Sequence, residues 1–269
     1  FCEQVRIKAG LGELDYEVGA EDIKGGLTTP ERYERYLRIL YESLPGRNLP
    51  LPTCVVGQTG TLTRADRNVG HLDLQATRKL IEIARKCGIG FKEHNGDYLS
   101  AASCRIHPDL GISGMNVAPE FGLVQTDALL HLADLEEKLV REKWVKESAA
   151  SNLRNLFLQK TFANAPWSKW LPADLKSWPK EKLEQDAAAR LLIARVCGHY
   201  VYDDKAVAAA IKKMMANIKR HQLVKDPEQY VMTQVQSSIE FYIDNFRMKG
   251  LNKILRGMTT TKKPVKKAR

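Results

Sequence analysis

Along the first 140 residues, short apolar runs alternate with longer stretches whose apolar positions recur at helical spacing. GELDYEVGAE predicts a strand ending near Glu21, followed by the turn KGG. TTPERYERYLRILYESL predicts a helix with Thr29 as its cap and Pro30 at its first position. PLPTCVVGQTG is apolar in its middle, as a strand covered on both faces should be. Asp73 is placed to cap LQATRKLIEIARKCG, where Leu74, Leu80, Ile81, Ile83 and Ala84 share helical spacing and Gly88 marks the end. GIGFKEH and GISGMNVA predict a third and a fourth strand, and FGLVQTDALLHLADLEEKLVREKW a long helix.

Strand starts recurring roughly every 35–40 residues suit successive βα units and a parallel sheet. A closed eightfold barrel needs about 250 residues, so four units make half of one. The expected fold is therefore α/β, a TIM-type (β/α) barrel of which the C-terminal half is present, with a C-terminal helical extension. Residues 1–145 form the half-barrel in this reading. Residues 146–257 form a helical extension packed on it, with helices over 180–200, 204–221 and 227–246 and a packed loop at the Trp-rich APWSKWLPADLKSWP. Residues 258–269 form a basic tail without apolar pattern, expected to be disordered. A start at Phe1 fits a processed protein or the C-terminal part of a longer one.

Composition narrows the function classes. No run of about 18 apolar residues suggests a membrane span. The five cysteines are scattered and never spaced CxxC, which disfavours a disulfide framework or structural zinc and favours a reducing cytoplasm. Charge is divided unevenly. Residues 1–140 carry 16 basic against 20 acidic side chains, and residues 141–269 carry 26 against 12. No basic motif is interleaved with aromatics, so nucleic acid is not the expected partner.

In parallel α/β folds the loops at the C-terminal strand ends carry side chains to a common mouth. Several polar residues fall there: Glu21, then Gln58 and Thr59, then Glu93, His94, Asp97 and Tyr98, then Asn116 and Glu120. A histidine near a carboxylate can move protons at neutral pH. Glu21 and His94 are thus acid–base candidates with Asp97 orienting His94, while Gln58, Glu93, Tyr98 and Asn116 are candidates for holding substrate. His94 with Asp97 offers too few ligands for zinc, and no metal site is assigned. His107, His131, His199 and His221 read as surface or packing residues without companions. No GxxxxGK[ST] motif supports a P-loop kinase.

At these strand ends, YEVGAEDIKGG resembles the G-[TA]-E…GG segment of the accessory, non-catalytic subunit of class II tagatose-1,6-bisphosphate aldolases. CVVGQTG is similar to its VVQPG strand and FKEHNGDY to its E-A-H-x-x-D-Y segment. MNVAPEFGLVQTDALLHLADLEEKL resembles its long-helix region, and AVAAAIKKMMANI its late helix. The resemblance covers residues 11 to about 245. It implies a TIM-like barrel with helical additions, a carbohydrate-metabolism role, and assembly with a catalytic aldolase subunit that holds the zinc. A sugar or sugar-phosphate ligand and an oligomeric state are implied with it. The reading that competes with it is an aldolase, epimerase or isomerase using Glu21 and His94 itself. Two departures stand out: Asn116 occupies the position of a family lysine and Thr126 that of an arginine, so a bisphosphate clamp is not expected.

Overall fold

The computed structural model describes residues 1–19 and 27–260. In chain order the elements are α1 (Cys2–Lys8), β1 (Glu17–Gly19), α2 (Pro30–Ser43), β2 (Cys54–Gly57), β3 (Thr63–Arg64), β4 (Arg67–Asn68), α3 (Leu74–Lys86), β5 (Gly90–Glu93), α4 (Ala101–Leu110) and β6 (Gly114–Met115). The long α5 (Pro119–Arg141) follows, then α6 (Leu153–Asn164), α7 (Ala173–Lys176), α8 (Lys180–Gln185), α9 (Ala187–Cys197), α10 (Lys205–Arg220), α11 (Pro227–Asn245) and α12 (Leu251–Thr260).

Four strands form one parallel sheet in the order β1-β2-β5-β6, with Val55 opposite Phe91 and Glu93 opposite Met115. Chain-order neighbours joined by helices are what the βα rhythm predicts. Among the described residues the sheet ends at β1 and at β6, so four adjacent parallel strands are seen rather than a closed barrel. The strand end expected near Glu21 and the tail beyond residue 260 lie outside the described residues.

Alternation along the strands divides the sheet into two unlike faces. Val55 and Phe91 point into a core with Tyr33 and Leu37 of α2 and Leu80, Ile81 and Ala84 of α3. The rings of Tyr33 and Phe91 meet edge to face at 5.9 Å, an arrangement aromatic quadrupoles favour. Gly57 is required here, because a Cβ on it would lie 2.7 Å from Phe91 Cε2. The other face carries the buried Val56 beside Cys54, Gly90 and Lys92, which are half-buried, and Lys92 forms an ion pair with Glu17 two strands away. A parallel sheet is ordinarily covered on both faces, so this half-open face departs from the rule.

The helical part has its own core, in which Leu129, Leu132 and Leu139 of α5 meet Phe157 of α6, Met214 and Ile218 of α10 and Val231 of α11. A third cluster joins Phe162, Leu171, Leu183 and Ile193 under Trp167 and Trp178. Among the described residues no helix is long and apolar enough to cross a membrane.

Helix starts follow side-chain chemistry. Thr29 accepts from Arg32 N–H, Asp73 from Ala76 N–H and Asp204 from Val207 N–H, each satisfying an orphan first-turn donor. Elsewhere the expectations fail. The single helix predicted over 180–200 is broken at Asp186, whose extended backbone ends α8 and whose carboxylate caps α9 through Ala189 N–H at 2.8 Å. α6 was not predicted, since Asn152 precedes it in the left-handed region with no side-chain cap. α4 was missed as well, being short and carrying Pro108 in its last turn.

Truncating Phe91 to Ala is expected to cost about 3–5 kcal/mol in urea unfolding, as a buried aromatic does. Gly57→Ala is expected to destabilise markedly in the wild type and much less in a Phe91→Leu background, where the steric conflict is relieved. Strictly additive losses in that double-mutant cycle would contradict the packing.

Candidate functional site

The loops after β2, β5 and β6 open on one side of the sheet and line a cavity of about 760 Å³. Gln58, His94, Asp97 and Asn116 reach it from three strand ends. The β3–β4 hairpin contributes Arg64 and Ala65, and the opposite wall comes from the helical part through Trp170, His199 and Tyr200.

The hairpin is fixed by one amide. Asn68 donates to the carbonyls of Asn95 and Asp97, both at 3.1 Å, and accepts from Leu62 and Gly70 N–H. Arg195 of α9 pairs with Asp127 at 2.7 Å and reaches Asp66 at 3.3 Å, tying the hairpin to α5 and α9. Ala65, Asn95 and Tyr98 all have positive φ (50°, 63° and 59°), strained backbone for non-glycine residues that clusters around the cavity.

His94 lines the cavity with Asn116 beside it, the amide nitrogen of Asn116 lying 3.4 Å from His94 Nδ1. An amide nitrogen only donates, so in this contact Nδ1 is on the accepting side.

Asp97 serves the long helix. Its Oδ1 accepts from Ala118 N–H at 2.9 Å and Glu120 N–H at 3.0 Å, capping α5, whose own cap residue Ala118 has no side chain for the purpose. Burial pushes the Asp97 carboxyl above its ordinary value, and these two N–H donors oppose that only in part. Glu120 returns the contact by accepting from Tyr98 N–H at 2.6 Å and from the Tyr242 hydroxyl of α11. Glu120 is thus a structural clasp, although it too lies just past a strand end.

Glu93 is fully buried beneath the loops and is not among the residues lining the cavity. Its Oε1 accepts from Thr59 Oγ1 and Thr61 Oγ1, both at 2.7 Å. Its Oε2 lies 2.9 Å from His107 Nε2, a close charge contact without good hydrogen-bond alignment. His107, 2% exposed, also places Nδ1 2.6 Å from the Ser103 carbonyl. Both neighbouring oxygens favour the protonated ring. Burial works against that charge, but Glu93 and the Ser103 carbonyl outweigh it and hold the pKa above the usual histidine value.

Of the residues expected at the site, Gln58, His94, Asp97 and Asn116 come together. Glu93 and Tyr98 are placed behind the cavity wall, and Glu21 lies outside the described residues. His107 has a companion after all, and His199 belongs to the cavity rather than to the surface. His131 and His221 do pack against aromatic rings, those of Tyr230 and Trp144. Only the GHY triplet could have drawn attention to His199. Among the described residues no three His, Cys, Asp or Glu side chains group as a metal site.

No protein-family model matches the chain, and no curated protein matches it. Its structure is similar to a probable tagatose 6 phosphate kinase from Sinorhizobium meliloti 1021, with a TM-score of 0.63 and 16% identity over 86% of this chain and 62% of that one. It is also similar to the fructuronate-tagaturonate epimerase UxaE from Cohnella laeviribosi in a glycerol complex, with a TM-score of 0.52 and 14% identity over 91% of this chain and 47% of that one. The chain therefore spans less than two thirds of either protein, and at these identities the likeness establishes the fold.

Two measurements test the buried carboxylates. His107 binds its proton more tightly folded than unfolded. Its stabilisation is therefore complete below an unfolded pKa of about 6.5 and is lost as pH rises through the raised folded value. The unfolding free energy should decline over that interval in the wild type and lack this decline in His107→Gln; an unchanged slope would refute the pairing. Asp97→Ala should cost roughly 0.5–2 kcal/mol as a lost helix cap. Asp97→Asn keeps an accepting oxygen and should cost much less, and equal losses would rule out capping.

Proposed function

We propose that this chain acts in carbohydrate metabolism by binding a sugar or sugar phosphate in the strand-end cavity. The observation that carries this reading is the convergence of Gln58, His94 and Asn116 on one concave site that also has aromatic walls. A mostly apolar pocket with a few placed polar groups suits a polyol with one hydrophobic face. The similar solved structures, by their printed names a probable tagatose 6 phosphate kinase and a fructuronate-tagaturonate epimerase, support a sugar-derived ligand.

Within that reading the chain serves as an accessory subunit for a class II aldolase, with the zinc ion held by the catalytic partner. The half-open sheet face and the edges of β1 and β6, unpaired among the described residues, support association, because such surfaces ordinarily find cover. A second reading, an aldolase, epimerase or isomerase in its own right, is favoured by the placement of the His94 imidazole in the cavity against Asn116. In that case His94 transfers the proton and Asn116 holds the ring.

Isothermal titration with hexoses and hexose 6-phosphates is expected to show saturable binding that His94→Ala and Asn116→Ala weaken about tenfold or more. Absence of binding to every sugar tried would end the proposal. The two finer readings separate in other assays. Co-expression with a class II aldolase should give co-elution and a longer aldolase half-life, and separate elution with an unchanged half-life would end the accessory role. Sugar isomerisation or cleavage by the isolated chain, lowered roughly 10²-fold by His94→Ala, would establish the enzymatic one.

A further inference from the structure

The wall of the cavity supplied by the helical part has properties that fold maintenance does not account for. Trp170 and Tyr200 line the cavity while remaining 40% and 47% exposed. Two large rings left half-open at a concave site form a platform for a flat apolar surface. His199 lines the same cavity, its ring 4.2 Å from that of Tyr200, centroid to centroid. Its Nδ1 is buried and, among the described residues, has no hydrogen-bond partner. Burial also holds the His199 pKa below its ordinary value, which keeps the ring neutral, with one donor and one acceptor nitrogen.

The position of His199 is built rather than incidental. Gly122, in the first turn of α5, also lines the cavity, and a Cβ there would stand 3.0 Å from His199 Nδ1. The turn carrying His199 (Gly198–Val201) is locked to α5 through Thr126, whose hydroxyl lies 2.8 Å from both the Gly122 carbonyl and the Tyr202 hydroxyl. An arginine at position 126 would not fit this fully buried contact. The residue that departs from the accessory-subunit pattern is thus the one that seats this wall.

We infer that Trp170, Tyr200 and His199 form a sugar-recognition subsite, in which the two rings cover one C–H face of the ligand and His199 reads a hydroxyl at its edge. This rests on the proposed sugar ligand and adds to it the residues that set stereochemical preference. A pyranose with its ring hydrogens on one face meets the aromatic platform flat. An epimer with an axial hydroxyl on that face is held off the platform or mispaired with His199. The strand-end groups then hold the remaining polar edge, so selectivity and general affinity come from different parts of the chain.

The test is calorimetric titration of the full chain with glucose 6-phosphate, its C4 epimer galactose 6-phosphate, the corresponding free hexoses and inorganic phosphate. Trp170→Ala and Tyr200→Ala are each expected to weaken the preferred sugar roughly tenfold, with Trp170→Phe and Tyr200→Phe close to wild type. His199→Leu should bring the epimer ratio toward one while leaving inorganic phosphate binding unchanged. Ligand quenching of tryptophan fluorescence should vanish in Trp170→Phe although binding persists, a signal that a purely structural role would not move. If the wild type binds a sugar and the alanine variants keep both its affinity and its epimer ratio, this subsite is wrong and the cavity reading stands. If the wild type binds none of these sugars, both fall.

Discussion

The junction between sheet and helices depends on a reciprocal clasp of backbone and carboxylate. Asp97, on the loop after β5, accepts the first free N–H groups of α5, and Glu120 of α5 accepts the N–H of Tyr98 on that same loop. The pattern is a capping box drawn between two distant segments. A 23-residue helix that begins without a cap of its own would otherwise present buried, unpaired donors. Because α5 also anchors α9, α10 and α11, this clasp sets where the helical wall stands relative to the strand ends, and with it the width of the cavity.

Polar groups at the strand ends are divided by depth. The deepest, Glu93, is consumed by structure: two threonine hydroxyls and a histidine hold its charge, and in return it joins the β2 loop to β5 and α4. A buried pair of this kind adds little net stability, yet losing one partner is costly, so it locks an arrangement more than it strengthens it. The shallower His94, Gln58 and Asn116 stand at the cavity, where a ligand can meet them. Thr61 links the two levels, donating to Glu93 and lying 3.2 Å from the His94 carbonyl.

Positions 116 and 126 both serve neutral hydrogen bonding near the cavity. Thr126 is buried in a hydroxyl contact that seats the turn carrying His199, and Asn116 sits 3.4 Å from a histidine it can orient. Asp97 moreover occupies the N-terminus of α5, a position that elsewhere attracts phosphate. Among the described residues, Arg64 of the hairpin is the cationic side chain on the cavity wall.

Local patterns determined much of the architecture without help. The βα alternation, the four parallel strands, and the caps Thr29, Asp73 and Asp204 depend on apolar spacing and on side chains within three residues of a free N–H, all of which one sequence contains. The same logic located the cavity, because parallel strands release their polar loops on one side. Tertiary structure alone decided which of those polar groups face the cavity. Glu93 and His94 are adjacent in the chain, yet strand alternation and the helix beneath bury one and open the other. The pairing of Glu93 with His107, the capping of α5 by Asp97, and the wall made by Trp170, His199 and Tyr200 join segments 14 or more positions apart in the chain. Such pairings depend on how layers pack, and no local pattern encodes that.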